Sequence, residues 1–215
     1  MAKKIKGISN LFGDPDGNVE RRMILRYING DWNFDVIEYI ESTQNKLRYK
    51  AGGGYESTIK TLNYFKYLFL SGKGENGRAM AELKTSFKRR DPDAVAQYAY
   101  YFYTGQTIVN KPDYRKATKL FEYALKEGGL FVEMLYADAL MYNNENNIGI
   151  NEQVIPYYEK AMKKGLVMNR YKLANCYLRT KTNLAKAEEL FSKCDEPDAK
   201  AKLEEVRALR RKNHR

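Results

Sequence analysis

Apolar and small residues recur along this chain at intervals of three and four, which is the spacing of one face of an α-helix. The segment KATKLFEYALKEG, at residues 116–128, shows the pattern well, because its apolar positions share one face and its charges lie elsewhere. Similar segments separated by short turns predict eleven helices and therefore an all-α protein. The predicted helices lie near residues 19–29, 34–48, 56–71, 76–89, 93–104, 113–127, 131–142, 151–164, 167–179, 184–194 and 197–212.

The helical pattern repeats itself with a period of 33 to 38 residues. Each repeat contains two helices, and small residues occupy equivalent positions in them. These positions are Ala99, Ala137 and Ala174 in the first helix, and Ala117, Val154 and Ala187 in the second. A period in this range is typical of α-solenoids, in which antiparallel helix pairs stack one on the next. The sequence therefore predicts an α-solenoid whose small residues allow neighbouring helices to approach closely.

The frame of these repeats resembles the Sel1-like subclass of tetratricopeptide repeats. The second repeat carries the resemblance best, with Ala99, Phe102, Gly105, Val109, Asp113, Lys116, Ala117, Phe121, Ala124 and Gly128. The third repeat has Asn143 where a glycine is usual, and the fourth has a shorter loop between its helices. The resemblance covers residues 93–198. It implies a right-handed superhelix that acts as a protein–protein scaffold, and it implies no catalytic residue.

Three segments are predicted along the chain. Residues 1–50 form a basic arm and a helical hairpin, which is either a cap or a degenerate repeat. Residues 51–198 form the repeat array, in which the repeats are clear from residue 93. A glycine-rich joint at residues 50–57 connects the first hairpin to the helices of the array. Residues 199–215 form a capping helix with a basic tail, because the last repeat of a solenoid needs a helix with a polar outer face.

The composition favours a cytoplasmic protein. No apolar run approaches the roughly 20 residues that span a bilayer, so no membrane span is expected. The basic start is not followed by the apolar stretch of a secretory signal. Cys176 and Cys194 occupy repeat positions that other residue types hold elsewhere, so we expect free, packed thiols. A disulfide or a redox switch is the alternative.

Few residues could assemble a catalytic or metal site. The single histidine is His214, and no CxxC or HExxH motif is present. The glycines at residues 52–54 lack the Gly-Lys-Ser/Thr sequence of a phosphate-binding loop. We therefore expect no enzymatic activity, no metal ion and no cofactor.

Positive charge is concentrated in one internal block and one tail. Residues 46–90 carry a net charge of +8 and residues 199–215 a net charge of +5, against +11 for the whole chain. Such blocks attract nucleic acid, acidic membranes or acidic proteins. Tyrosines and phenylalanines within the block would suit base stacking, but their helical spacing also suits a core. Within the block at residues 46–90, the residues predicted to contact an acidic partner or nucleic acid are Lys84, Lys88, Arg89 and Arg90, here called the basic patch.

The candidate binding surface is the concave wall of the solenoid, formed by the first helix of each pair. The residues predicted on this wall are Tyr64, Tyr67, Gln97, Tyr100, Tyr101, Thr104, Asp138, Tyr142, Asn175 and Arg179. Tyrosine is a favoured interface anchor, since its ring supplies contact area and its hydroxyl seeks a partner. The alternative is that some of these tyrosines pack between helix layers.

The expected function is that of a non-enzymatic scaffold or adaptor for a protein or peptide partner. An acidic partner is one option, and a fixed place in a larger bacterial or phage assembly is another. The alternative function is nucleic-acid association through the basic block at residues 46–90. No feature of the sequence indicates an oligomeric state.

Overall fold

The computed structural model describes Glu38, residues 40–42 and residues 56–213, with side chains from residue 62 in the longer stretch. The predicted N-terminal arm, most of the predicted first hairpin, the glycine-rich joint before residue 56 and His214 lie outside the described residues.

Residues 56–213 form nine α-helices and one 3-10 helix, and Glu38 and residues 40–42 are also helical. The described residues contain no β-strand, which confirms the all-helical class. The helices are α1 (Glu56–Gly72), α2 (Asn76–Lys88), α3 (Pro92–Thr104), α4 (Tyr114–Glu127), α5 (Val132–Met141), α6 (Ile148–Lys163), the 3-10 helix (Val167–Asn169), α7 (Arg170–Thr180), α8 (Leu184–Phe191) and α9 (Ala199–Asn213). Within residues 56–213, no helix is long and apolar enough to cross a membrane.

The chain divides after Ala94, inside α3, into two compact units. In the first unit, α1 packs against α2. Leu62, Phe65 and Leu83 are among its fully buried side chains. Lys66 of α1 reaches Glu82 of α2 at 3.1 Å, so an ion pair joins the two helices beside this core.

In the second unit, each helix from α4 to α9 packs against the next one along the chain. The small residues that share a repeat position are fully buried. They are Ala99, Ala137 and Ala174 in the first helices, and Ala117, Val154 and Ala187 in the second helices. A side chain without bulk lets two helix backbones approach, so the alanine pattern and the helix packing have one physical cause.

The second helices of three successive pairs begin with the same kind of cap. The side-chain oxygens of Asp113, Asn147 and Asn183 each accept a hydrogen bond from the backbone N–H three residues later, at 3.0, 3.2 and 2.9 Å. Such a cap satisfies one of the N–H groups that an α-helix leaves without a partner at its start. The cap at Asn147 explains why α6 begins at Ile148, three residues before the predicted start.

Left-handed residues follow the helices where the repeat frame has glycine. Gly128 ends α4 with φ 70°, and Gly165 follows α6 with φ 97°. Gly105 has φ 72° after α3. Asn143, which replaces the usual glycine of the third repeat, has φ 60° after α5. Asparagine tolerates this backbone region better than most side chains do, so the turn is kept without glycine.

The last helix, α9, packs on α8 through one apolar stripe. Ala199 and Val206 are buried, and Leu203 and Leu209 are partly buried against the same core. Glu188 of α8 binds Arg207 Nε at 3.1 Å and also binds Arg210, so a carboxylate holds two cations of α9. The predicted apolar stripe of this helix is therefore confirmed.

Both cysteines are free, as the sequence indicated. Cys176 is buried, and Cys194 is partly buried with its thiol 3.2 Å from the carbonyl oxygen of Leu190. Burial raises the pKa of the Cys176 thiol to about 12 and that of Cys194 to about 11. Both side chains therefore stay protonated near neutral pH, where a thiol is a weak nucleophile.

Candidate functional site

The ten residues predicted on a binding wall have two different fates in the structure. Five of them are buried, so they do not form an accessible surface, and the expectation of a partner contact is corrected for this group. These buried residues are Tyr64, Tyr67, Gln97, Tyr101 and Thr104. Tyr64, for example, is 1% exposed, and its ring packs against that of Tyr67 with centroids 5.5 Å apart. Burial of Tyr64, Tyr67 and Tyr101 agrees with the alternative, in which some of the tyrosines pack between helices.

The other five predicted residues line one cleft of about 400 Å³ in the second unit. They are Tyr100, Asp138, Tyr142, Asn175 and Arg179. Six further residues complete the lining, namely Met141, Glu145, Tyr158, Tyr171, Lys172 and Lys202. Because four of the eleven are tyrosines, we call this site the tyrosine cleft. Helices α3, α5, α6, α7 and α9 all contribute to it.

Helix α7 supplies the largest share of the lining because of its spacing. Tyr171 and Asn175 are four residues apart, and Lys172 and Arg179 are seven apart, so both pairs repeat on one side of the helix. The Asn175 amide donates a hydrogen bond to the carbonyl oxygen of Tyr171 at 2.9 Å. One face of α7 therefore presents an aromatic ring, an amide and two cations to the cleft.

Asp138 of α5 lies at the centre of the polar contacts. Its Oδ1 atom accepts a hydrogen bond from the Tyr158 hydroxyl at 2.7 Å. Lys172 Nζ lies 2.7 Å from each of the two carboxylate oxygens. Burial, and then the Asp138 charge, raise the pKa of Tyr158, so its hydroxyl stays protonated and remains a donor. One carboxylate thus joins α5, α6 and α7.

Two tyrosines stand beside this centre, namely Tyr100 of α3 and Tyr142, which directly follows α5. Burial, followed by the nearby Asp138 and Tyr142, raises the pKa of Tyr100, so its hydroxyl is neutral at physiological pH. The Tyr142 hydroxyl accepts a hydrogen bond from Gln106 Nε2 at 3.0 Å. Both rings are only partly buried. They offer aromatic surface together with a hydroxyl that can bond a ligand.

The part of the cleft around Tyr171 is fixed by contacts with α9 and with the loop before it. The Tyr171 hydroxyl donates to Asp198 Oδ2 at 2.5 Å, and this hydrogen bond lowers the pKa of Asp198. Lys202 Nζ lies 3.7 Å from Asp198 and 5.8 Å from the centre of the Tyr171 ring. The rim of the cleft therefore depends on the docking of the last helix.

The lining of the cleft combines charged, aromatic and hydroxyl groups. Its charged lining consists of three cations, Lys172, Arg179 and Lys202, and two carboxylates, Asp138 and Glu145. The nearest thiol on α7, Cys176, is buried and protonated. Among the residues that the structure describes, no group of three or more histidine, cysteine or acidic residues could hold a metal ion. Besides its charges, the lining offers the aromatic faces and hydroxyls of four tyrosines.

Tyr158 and Lys202 line the cleft but were not among the residues predicted from the sequence. Tyr158 shares its repeat position with Phe121 and Phe191, which makes it a packing residue. Its extra hydroxyl is the signal that could have placed it at the cleft, because a buried hydroxyl needs a polar partner. Lys202 belongs to the last helix, outside the repeat register, and no sequence signal points to its place here.

The basic patch lies in the first unit, at the end of α2. Lys84, Lys88, Arg89 and Arg90 are all exposed. Two other cations of the same block are paired, since Lys66 contacts Glu82 at 3.1 Å and Arg78 contacts Glu75 at 2.5 Å. The accessible charge of the block is therefore smaller than its sequence indicates.

Comparison with known proteins supplies no site that could be transferred to this chain. The Sel1-like resemblance thus rests on the repeat frame alone, and the tyrosine cleft rests on its own geometry. Comparisons with family models, with curated proteins and with solved structures each found no match.

Proposed function

We propose that this protein is a non-enzymatic scaffold of the Sel1-like kind, which holds a segment of a partner protein in the tyrosine cleft. The observation that carries the proposal is the convergence of Tyr100, Tyr142 and Tyr171 on one open cleft from different parts of the chain. Partly exposed tyrosines that share a concave site are typical anchors of protein interfaces.

The size and the chemistry of the cleft agree with a peptide ligand. A volume of about 400 Å³ accommodates a few side chains of an extended segment. Met141 adds a flexible apolar contact, and Asn175 adds an amide. The lining is held by its own hydrogen bonds, above all those of Asp138 and Tyr171, so little ordering is required when a partner binds.

Two further observations support a repeat scaffold around this cleft. The small residues at equivalent positions are all buried, and the second helices of three pairs share one capping arrangement. Equivalent positions with equivalent roles are what stacked repeats require. A right-handed superhelix remains part of the proposal.

The test is affinity capture from the native host, followed by quantitative mass spectrometry. We expect the double variant Tyr100→Ala/Tyr142→Ala to lose a partner that the wild-type chain retains, with a loss of about 2 kcal/mol for an anchor residue. The matched control is Tyr114→Ala, because Tyr114 is 59% exposed and lies outside the cleft. Equal capture by the double variant and the wild type would rule out the cleft as the partner site.

The alternative function, nucleic-acid association, is favoured by the exposure of all four residues of the basic patch. We expect it to be weak, because two neighbouring cations are paired with glutamates and four phosphate contacts supply little affinity. Non-specific binding of this kind has a Kd of about 10⁻⁴ to 10⁻⁶ M at physiological salt.

A duplex DNA probe of random sequence checks this expectation by fluorescence anisotropy across a salt series. A control variant changes four exposed lysines outside the patch to glutamate, namely Lys119, Lys126, Lys163 and Lys200. Submicromolar binding near physiological salt, lost when the basic patch is changed to glutamate and kept in the control, would favour the nucleic-acid function. In that case the affinity should fall about 100-fold between 50 and 200 mM salt for four phosphate contacts.

A further inference from the structure

The cations of the tyrosine cleft are not equally available to a ligand. Lys172 is held by Asp138, with 2.7 Å to each carboxylate oxygen. Lys202 faces Asp198 at the longer distance of 3.7 Å. In the part of the chain that the structure describes, Arg179 forms no ion pair, and its guanidinium donates to the neutral Asn146 Oδ1 at 2.6 Å. The accessible positive charge of the cleft is therefore centred on Arg179.

Asp138 forms the ion pair with Lys172 that a carboxylate of a ligand would otherwise form. Its two oxygens share the ammonium group, and Oδ1 also takes the hydroxyl of Tyr158. The side chain of Asp138 is 20% exposed and that of Lys172 is 48% exposed, so the pair lies at the surface of the cleft. A carboxylate at this place screens Lys172 from an incoming anion.

We infer that the tyrosine cleft takes an acidic peptide segment of the partner, that Arg179 makes its main carboxylate contact, and that Asp138 limits the affinity by neutralising Lys172. The inference rests on the proposed function and adds to it the charge of the ligand. Asp138 is a specificity-determining residue in this arrangement, because its charge decides how many cations a ligand can meet.

Charge complementarity favours an acidic peptide over the other occupants. Of the three cations that line the cleft, Lys172 and Lys202 each face a carboxylate, whereas Arg179 forms no ion pair within the described residues. The planar fork of an arginine matches a carboxylate. A basic segment would face Arg179 and Lys202 directly. A nucleic-acid backbone would bring a continuous row of phosphates against Asp138 and Glu145. A peptide can instead place single carboxylates between uncharged residues that pack on the tyrosines.

Two substitutions separate the roles of these residues. Asp138→Asn removes the charge but keeps an oxygen that accepts from Tyr158, so it releases Lys172 with little change in shape. We expect this variant to bind an acidic peptide about tenfold more tightly than the wild type. Arg179→Gln removes the unpaired cation, and we expect it to bind about tenfold more weakly. The matched control is Arg211→Gln, which makes the same change in net charge at an exposed position of α9 outside the cleft.

The measurement uses three dye-labelled probes of equal length, namely hexaglutamate, hexalysine and an alternating Gly-Ser hexapeptide. Fluorescence anisotropy at about 50 mM salt limits screening of the charges. The expected order of affinity for hexaglutamate is Asp138→Asn, then the wild type and Arg211→Gln together, then Arg179→Gln. Hexalysine and the Gly-Ser peptide should bind more weakly than hexaglutamate to the wild type.

The inference is overturned if hexaglutamate binds none of the proteins, if it binds no better than the other probes, or if Asp138→Asn and Arg179→Gln bind it as the wild type does. Arg179 is exposed, so its variant remains informative even if Asp138→Asn fails to fold, which thermal melts would show. Failure of the peptide series with continued capture of a partner through Tyr100 and Tyr142 would reject the inference and leave the proposed function standing. Failure of the capture experiment would reject the proposed function separately.

Discussion

Replacing Tyr158 with alanine is expected to lower the free energy of unfolding by about 3–5 kcal/mol, as for other large aromatic residues in a core. Tyr158 is 1% exposed and belongs to the apolar cluster that α5 to α9 share. Its removal leaves a cavity and also takes a hydrogen-bond donor from Asp138. Urea unfolding followed by circular dichroism measures the change, because the midpoint shifts in proportion to the lost stability.

Two comparison variants make this prediction specific. Tyr158→Phe keeps the ring and removes only the hydroxyl, so we expect a loss of about 1 kcal/mol. Tyr114→Ala is the surface control, since its side chain is mostly exposed. If Tyr158→Ala destabilised the protein no more than Tyr114→Ala does, Tyr158 would not be a core residue.

Alkaline pH gives an independent check on the same residue. Burial raises the pKa of Tyr158, so folding favours its protonated form. The stability that this contributes is complete below the unfolded tyrosine pKa of about 10 and declines as the pH rises above it. The Tyr158→Phe variant has no hydroxyl to ionise, so its stability should fall less steeply than that of the wild type above pH 10 or so.

Disrupting the packing of α9 is expected to produce the second large effect. Val206 is fully buried, and it acts with Ala199, Leu203 and Leu209 as the apolar stripe of this helix. Burial of each larger side chain is worth about 1.5–3 kcal/mol, so loss of the whole contact amounts to roughly 5 kcal/mol. Val206→Asp places an unpaired charge at its centre and should undock the helix.

The control for α9 is Ala208→Asp, which introduces the same charge on the exposed side of the same helix. We expect its urea midpoint to stay close to that of the wild type, whereas the midpoint of Val206→Asp should fall markedly. Because Lys202 and the Tyr171–Asp198 contact depend on this helix, Val206→Asp should also weaken partner capture. Equal midpoints for the two variants would show that α9 does not contribute to the fold.

Local periodicity predicted the helices well because apolar positions recur at helical spacing in them. The alanines at equivalent repeat positions are buried, and the cap at Asp113 and the left-handed Gly128 lie where the repeat frame places them. Each of these features involves residues within four positions of one another, and such interactions are written directly in the spacing of residue types. The error at the start of α6, three residues, came from a cap at Asn147 that lies outside the apolar pattern.

The lining of the tyrosine cleft was predicted only in part, because periodicity does not say which faces of a helix are covered. Tyr100 and Tyr101 are adjacent in the chain, yet Tyr101 is buried and Tyr100 lines the cleft. Gln97 and Thr104 are polar but buried, as is Tyr64 in the first unit. A first helix that is packed on more than one side buries polar and aromatic residues that an amphipathic pattern would leave exposed.

The sequence by itself determined the helical class, the helix order and the small residues at the helix contacts, since these follow from local spacing and from the space that each residue type fills. Only the tertiary structure decided the tyrosine cleft, which joins Tyr100 to Lys202 across about a hundred residues. It also decided that Asp138 neutralises Lys172 while Arg179 forms no ion pair within the described residues. The physical reason is that pairing of charges depends on distances between helices, and packing sets those distances whereas the order of residues along the chain does not.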